Sequence, residues 1–203
     1  MDVFVAFNTL LFVLMCGFSY YDRFLQYRGP ANVTEFFLYS IAILLAIAFL
    51  WLHFRRYPLP WWLLGLIQTA ILIHYAGAFV ELEGRRLYDN AFFGLRYDKY
   101  VHFTNAFLIA VLISRLLLPR YLRKDAIFRC NILLAVLGLG AVVEIIEYVV
   151  CKTIPRNGVG DYDNNLQDLI ANLLGGSSWL LLSYVRQRYL ISAFPRLRKA
   201  LDS

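Results

Sequence analysis

Cysteine is scarce in this chain and badly placed for chemistry. Cys16, Cys130 and Cys151 lie in different segments and form no CxxC or other metal-ligand spacing, which argues against a disulfide framework or a thiolate metal site. No linker is long enough to separate two domains, and no apolar segment repeats another. The run from Val3 to Tyr21 lacks a basic n-region and an A-x-A-like site, so it is expected to stay as a helix rather than to be a cleaved signal peptide. Met15-Cys16-Gly17 is an equally poor lipoprotein signal, since no lysine or arginine precedes the run.

What the chain has in excess is apolar surface. Hydrophobic residues make up 60% of its 203 residues, with a mean hydropathy of +0.57. Soluble domains are about 45–50% apolar, so water-soluble packing is the wrong expectation and a disordered chain is excluded. Aromatic residues are frequent at the ends of the apolar runs. Tyr20, Tyr21, Trp51, Tyr57, Trp61, Trp62, Tyr97, Tyr100, Tyr121 and Tyr189 suit the two interfacial belts of a bilayer.

About 20 helical residues cross a hydrocarbon core roughly 30 Å thick. Cutting the sequence at its charges leaves six such runs, approximately 3–21, 36–54, 61–80, 100–118, 131–150 and 167–185. The expectation is an all-α, polytopic membrane protein, a single bundle of six transmembrane helices occupying residues 1–203.

The net charge of +6 could point to nucleic acid, but the basic residues lie between the apolar runs. Arg115, Arg120, Arg123, Lys124 and Arg129 form one group; Arg186, Arg188, Arg196, Arg198 and Lys199 form another. These read as anchors on anionic lipid, not as a groove for nucleic-acid phosphates. With the N-terminus inside, the inner connections hold 12 lysines and arginines against 8 outside, a bias that places both termini in the cytoplasm. Only Asp2, Asp125 and Asp202 then fall on the inner side, while Asp22, Glu35, Glu81, Glu83, Asp89, Asp98, Asp161, Asp163 and Asp168 fall outside.

Glu144 and Glu147 stand near the outer end of the fifth run, three residues apart and therefore on one helical face. A charge in a transmembrane helix costs roughly 2.5–3.5 kcal/mol at mid-bilayer and less towards the interface, so such residues are expected to face a bundle interior with a partner or a task. At the start of the fourth run, Asp98, His102 and Asn105 share a face at i, i+4 and i+7, with Lys99 turned aside. His102 could serve as metal ligand or general base, or be a satisfied interfacial histidine.

Before the sixth run comes an acidic, amide-rich stretch. Asn164 with Gln167 three later fits a helix cap with a reciprocal partner. That leaves Asp168 and Asn172 on one face inside the membrane. Asp161, Asp163 and Asn165 match the first, third and fifth positions of an EF-hand, but Leu166 replaces its glycine and Asn172 its glutamate, which excludes that motif and leaves a looser cation site open. Ala171 and Gly175, with Gly176, Gly138 and Gly140, let the fifth and sixth helices approach closely. His74, below Glu81, could join the outer group, whereas His53 reads as interfacial.

Taken together, Tyr97-Asp98-Lys99-x-x-His102-Phe103, Glu144-x-x-Glu147 and Gly160-Asp161-x-Asp163-x-x-x-x-Asp168 resemble the YjdF-like bacterial inner-membrane proteins of unknown function. The order D-K-x-x-H, intramembrane Glu, D-x-x-x-N-x-x-G is also similar to VanZ-type membrane proteins, a family linked with glycopeptide resistance; Asp168, Asn172 and Gly175 supply the last motif here. The resemblance spans roughly residues 60–185. It departs at Asn157-Gly158-Val159-Gly160-Asp161-Tyr162-Asp163, where YjdF-like chains carry Gly-Thr-Gln-Gly-Asp-x-Trp-Asp. It implies a bacterial cytoplasmic-membrane location and no particular reaction.

The candidate catalytic and metal-ligating set is thus Asp98, His102, Glu144, Glu147 and Asp168, supported by Lys99, Asp161, Asp163 and Asn172. Several carboxylates with one imidazole suit one or two divalent metal ions with an open water position, and equally suit metal-free acid–base work. No serine or cysteine nucleophile is well placed, so water activation is the favoured chemistry. The depth of the site points to a lipid or lipid-linked envelope substrate. A small cation- or proton-coupled transporter, a binder, a non-catalytic accessory protein and a homo-oligomer all stay open on sequence grounds.

Overall fold

The computed structural model describes residues 1–117, 126–154 and 161–193, with side chains to residue 189. Tyr121 and the basic residues Arg120, Arg123, Lys124, Arg196, Arg198 and Lys199, together with Asp125, Asp202 and the 157–160 stretch, lie outside them. The described chain is helical throughout its long elements: α1 (Asp2–Met15), α2 (Tyr21–Arg28), α3 (Val33–Phe54), α4 (Trp61–Phe79), α5 (Tyr97–Leu117), α6 (Ala126–Thr153) and α7 (Tyr162–Ala193). A π-helical turn at Cys16–Tyr20 joins α1 to α2, giving one apolar helix from Asp2 to Arg28. Among the described residues, five helical stretches are long and apolar enough to cross a membrane, and the protein is an all-α polytopic membrane protein.

Its outer surface follows the same logic. On α3, Phe37, Leu38, Ile41, Leu45, Phe49 and Leu52 are all exposed. So much outward-facing hydrocarbon is a liability in water and a requirement in lipid.

α7 is less apolar on average than the other long helices, and its pattern explains why. Asn164, Asn165, Asp168, Ala171, Asn172, Gly175, Gly176 and Trp179 are buried, while Leu166, Ile170, Leu173, Leu174, Leu181 and Leu182 are exposed. Polar and small residues recur every three to four positions on the inward face, with leucine outward. That is the inverse of a soluble amphipathic helix, and average hydropathy conceals it.

Contacts group the chain into two compact units. The first comprises Met1–Leu66 and Val150–Val159. Within it, Gly29 (φ 75°) turns the chain between α2 and α3. Arg28 grips Glu35 with its guanidinium at 2.9–3.1 Å, and the buried Phe36 ring meets Tyr21 edge-on. Trp51 Nε1 donates to Asp2 at 2.8 Å.

The second unit, Ile67–Val149 and Gly160–Ser203, contains α5, most of α6 and α7. Its apolar centre is Ala106, Ala110, Phe128, Ile132, Val136 and Trp179. α7 lies hard against α5: a Cβ at Gly175 would stand 2.2 Å from the Phe103 carbonyl oxygen. The adjoining Gly176 faces Leu133 and Val136 of α6. The glycine face expected to join the fifth and sixth helices thus serves the fourth as well.

Between α4 and α5 the sequence suggests only a charged connection. The structure forms two consecutive hairpins there, β1 (Glu81–Leu82) with β2 (Arg85–Arg86) and β3 (Ala91–Phe92) with β4 (Leu95–Arg96). Each turns on two residues of positive φ, Glu83-Gly84 and Phe93-Gly94, the signature of a two-residue primed turn. Equivalent backbone bonds close them, Leu87 N to Val80 O at 2.8 Å and Tyr97 N to Asn90 O at 2.9 Å.

Candidate functional site

The second hairpin delivers the chain into α5 with Asp98 in the first turn, where a carboxylate suits the helix dipole. One turn on, His102 Nε2 stands 3.6 Å from Asp98 Oδ1 and 3.5 Å from Asp168 Oδ1 of α7. The other ring nitrogen, Nδ1, stands 3.7 Å from Glu144 Oε1 of α6. Three helices therefore place three carboxylates around one imidazole. Ligand-capable atoms of Asp98, His102 and Asp168 all lie within 4.8 Å of one another.

Lys99 is the cation of this cluster. It is only 6% exposed, and its Nζ donates to Asp168 Oδ1 at 2.7 Å, Asp98 Oδ2 at 3.0 Å and Asn164 Oδ1 at 2.9 Å. The backbone oxygen of Asn164 accepts from it as well. Asp168, 1% exposed, also accepts from Asn164 Nδ2 at 2.7 Å. Glu144 contrasts with both. It is 4% exposed, and neither of its carboxylate oxygens has a hydrogen-bond partner among the described residues.

Glu147 is half-buried, makes none of these bonds and lies within electrostatic reach of His102, Asp168, Asp98 and Lys99. Asn172 is buried one turn below Asp168, its amide occupying the space that a side chain at Gly140 would take. Asn105, expected on the face of Asp98 and His102, is half-buried and takes no part in these bonds.

Two supporting residues take other places. Asp161 is exposed and caps α7, accepting from Asn164 N at 2.9 Å. Asp163 is exposed and joins none of these bonds. The expected cap at Asn164 is corrected accordingly: the helix starts earlier, because Asp161 already satisfies the free amide. That frees the Asn164 side chain to turn inward. Asn164 and Asn165 are the site residues that sequence reasoning missed; Asn165 donates to the Glu144 carbonyl at 3.1 Å, linking α7 to α6.

An outer chain of polar contacts runs from the hairpins to this cluster. Arg86 pairs with Asp89 at 2.7 Å, Asp89 with Arg96 at 3.1 Å, and an Arg96 Nη donates to Asn164 Oδ1 at 2.9 Å. Partial burial of Asp89 opposes its charge, but the hydrogen bond and charge of Arg86 with the charge of Arg96 hold its carboxyl below the usual range. His74 is hydrogen-bonded to Tyr88 and feels the charges of His102 and Asp98, so it borders the site. His53 stacks on Phe49 and meets Phe54 edge-on elsewhere.

A polytopic helical membrane protein with an acidic, imidazole-bearing cluster buried among its helices is the class that fold and site define. The match to known sequences narrows it: the chain belongs to the family described as predicted membrane protein (DUF2238), whose model covers residues 7–189. Neither the curated proteins nor the solved structures contain a significant match.

Proposed function

We propose that the protein is a membrane-embedded hydrolase whose cluster activates water against a lipid or lipid-linked envelope substrate at headgroup depth. The observation that carries this reading is the imbalance at His102. Four acids, Asp98, Glu144, Glu147 and Asp168, surround one lysine and one imidazole, and Glu144 is buried without a hydrogen bond among the described residues. A structural brace gains little from such a set, because buried charges stabilise only when paired and fully hydrogen-bonded. Intramembrane ionisable groups generally serve function.

Layering in the second unit favours a one-sided site over a transport path. Below His102, Glu144 and Asn172 come Ala106, Ala110, Ile132, Val136 and Trp179, all buried and apolar. Half-buried Ser177 and Ser178 interrupt this layer on α7, and fully buried polar residues return only at Ser114 and Arg129 among the described residues. From Glu144 to Ile132 is 12 helical residues, about 18 Å along α6. In this reading the acidic end faces the outer leaflet of a bacterial cytoplasmic membrane, both termini are cytoplasmic, and the chain is of the YjdF-like kind related to VanZ-type proteins.

The test is incubation of the purified protein with total cytoplasmic-membrane lipid extract in mixed micelles, read by mass spectrometry. The expected outcome is loss of one lipid-linked class with matching products, abolished in His102→Ala. Identical lipid profiles for wild type and variant would sink the hydrolase, and protein-dependent proton or cation flux in sealed proteoliposomes would favour a transporter.

A further inference from the structure

We infer that Asp98, His102 and Asp168 bind a single first-row divalent cation, with Zn2+ or Mn2+ as the fitting class, and that Lys99 is its resident competitor. The inference rests on the proposed reading of the cluster as a water-activating centre and names the ion that would do the activating.

Geometry comes first. Zinc bonds to nitrogen and carboxylate oxygen are roughly 2.0–2.2 Å, so tetrahedral ligand atoms stand about 3.3–3.6 Å apart. His102 Nε2 lies 3.6 Å from Asp98 Oδ1 and 3.5 Å from Asp168 Oδ1, already near that spacing. Three protein ligands leave a fourth position for water, the arrangement of catalytic rather than structural zinc. One imidazole with two carboxylates is a borderline donor set that favours Zn2+ or Mn2+ over the soft ions.

Glu144 supplies the independent observation. Its two oxygens are buried without a donor among the described residues, and Oε1 lies 3.7 Å from His102 Nδ1. Metal-bound histidines almost always give their second ring N–H to a carboxylate, a backbone carbonyl or water, which fixes the tautomer and raises ligand basicity. Glu144 stands where that carboxylate belongs, at the ring nitrogen that Asp98 and Asp168 leave free. It is therefore a positioning residue and not a first ligand. Asn164 has the same relation to Asp168, holding Oδ2 at 2.7 Å.

Charge completes the case. Four carboxyl groups face the single Lys99, and a divalent cation would add positive charge where the lysine is outnumbered. Lys99 spans the same two carboxylates that would ligate the ion, Asp168 at 2.7 Å and Asp98 at 3.0 Å. Its ammonium therefore weakens the site for metal while keeping the metal-free cluster together.

The experiment uses the full chain in detergent, stripped with chelator and titrated with Zn2+ alone by calorimetry, with Mg2+ as a harder control and metal content measured after dialysis. One Zn2+ per chain is expected. Glu144→Gln should weaken binding at least tenfold, in line with the 10–100-fold losses on disturbing outer-shell partners, and His102→Gln, which removes a ligand, should weaken it further. Lys99→Gln should bind at least tenfold more tightly, and its thermal midpoint should fall in chelator and recover with Zn2+. A lysine that only braces helices would give a loss that metal does not restore. Should Lys99→Gln not fold, Asp98→Asn is expected to lose binding in its place. Absence of stoichiometric Zn2+ from wild type, or affinity unchanged in His102→Gln and Asp98→Asn, would overturn the inference. Full lipid turnover by stripped protein would overturn the metal and leave the hydrolase standing; Zn2+ binding without turnover of any lipid would do the reverse.

Discussion

At one end of the α5–α6–α7 group Arg129 is buried, and at the other so is Lys99, yet the two cations are held in opposite ways. Arg129 donates to Ser183 Oγ at 3.1 Å and to Gln187, and its guanidinium lies 5.6 Å from the Tyr184 ring centre. Each of these three partners is neutral. Lys99 is bound by Asp98, Asp168 and Asn164, with Glu144 and Glu147 near by. Among the described residues, Arg129 satisfies its charge with neutral dipoles alone. The acidic end gathers four carboxyl groups around one lysine, which in the proposed reading serves chemistry at a cost to stability.

The largest effect should come from Lys99→Met. It leaves Asp98 and Asp168 buried without their cation, and removing one partner of a buried pair costs about 3–5 kcal/mol. The expected outcome in chelator is a fall in thermal midpoint exceeding those of Arg129→Met, Gly175→Ala and Glu144→Gln. Arg129→Met, measured alongside, should cost about 1–3 kcal/mol, the penalty of stranding neutral acceptors. Equal losses at the two ends would break the contrast between them.

Next in size is Gly175→Ala. The added methyl meets a backbone oxygen of Phe103 at 2.2 Å, and backbone cannot step aside as a side chain can. Overpacking of this kind costs about 1–3 kcal/mol, and it should also blunt activity, because Asp168 and Asn172 ride on the same helix. Gly140→Ala meets only the Asn172 side chain and should be milder. A Gly175→Ala protein as stable as Gly140→Ala would refute the close α5–α7 seam.

Glu144→Gln separates stability from function. It removes a buried carboxylate that has no hydrogen-bond partner among the described residues, so the thermal midpoint should hold or rise slightly while lipid turnover falls by at least tenfold. Such a trade is expected where a site is strained for activity. A lower midpoint with turnover intact would mark Glu144 as a brace after all.

How much of the molecule is legible in its sequence follows from what each residue type reports. The helical membrane class is written in the apolar runs, and Asp98, His102, Glu144 and Asp168 stand out because ionisable groups are conspicuous in such a background. Asn164 and Asn165 do not, since an amide before a helix reads first as a cap; only the three-dimensional start of α7 assigns that task to Asp161. The stripe from Asn164 to Trp179 is present in the spacing, but average hydropathy erases it. The hairpins escape because Glu83 and Phe93 adopt positive φ beside their glycines, which neither residue type advertises. The pairing of Lys99 depends on the distance between α5 and α7, a quantity no local pattern encodes.

The smallest expected effect concerns Asp89, and it sharpens the contrast from outside the membrane helices. Its burial is partial, and Arg86 and Arg96 hold its carboxyl below the ordinary aspartate range. A carboxyl lowered in the folded state adds stability that is complete above its unfolded value and is lost as pH falls through the folded one. The contribution of the hairpin triad should therefore be full at neutral pH and vanish in acid below that range. Its size is that of a partly exposed pair, roughly 0.2–1 kcal/mol. Comparing wild type with Asp89→Asn isolates it from the other carboxylates: the midpoints should differ slightly at neutral pH and converge in strong acid, and raised salt should narrow the gap. Lys99→Met should keep most of its deficit in high salt, because its partners are buried. If Asp89→Asn proved as damaging as Lys99→Met and equally indifferent to salt, the hairpins would be part of the site's framework rather than an outer link to it.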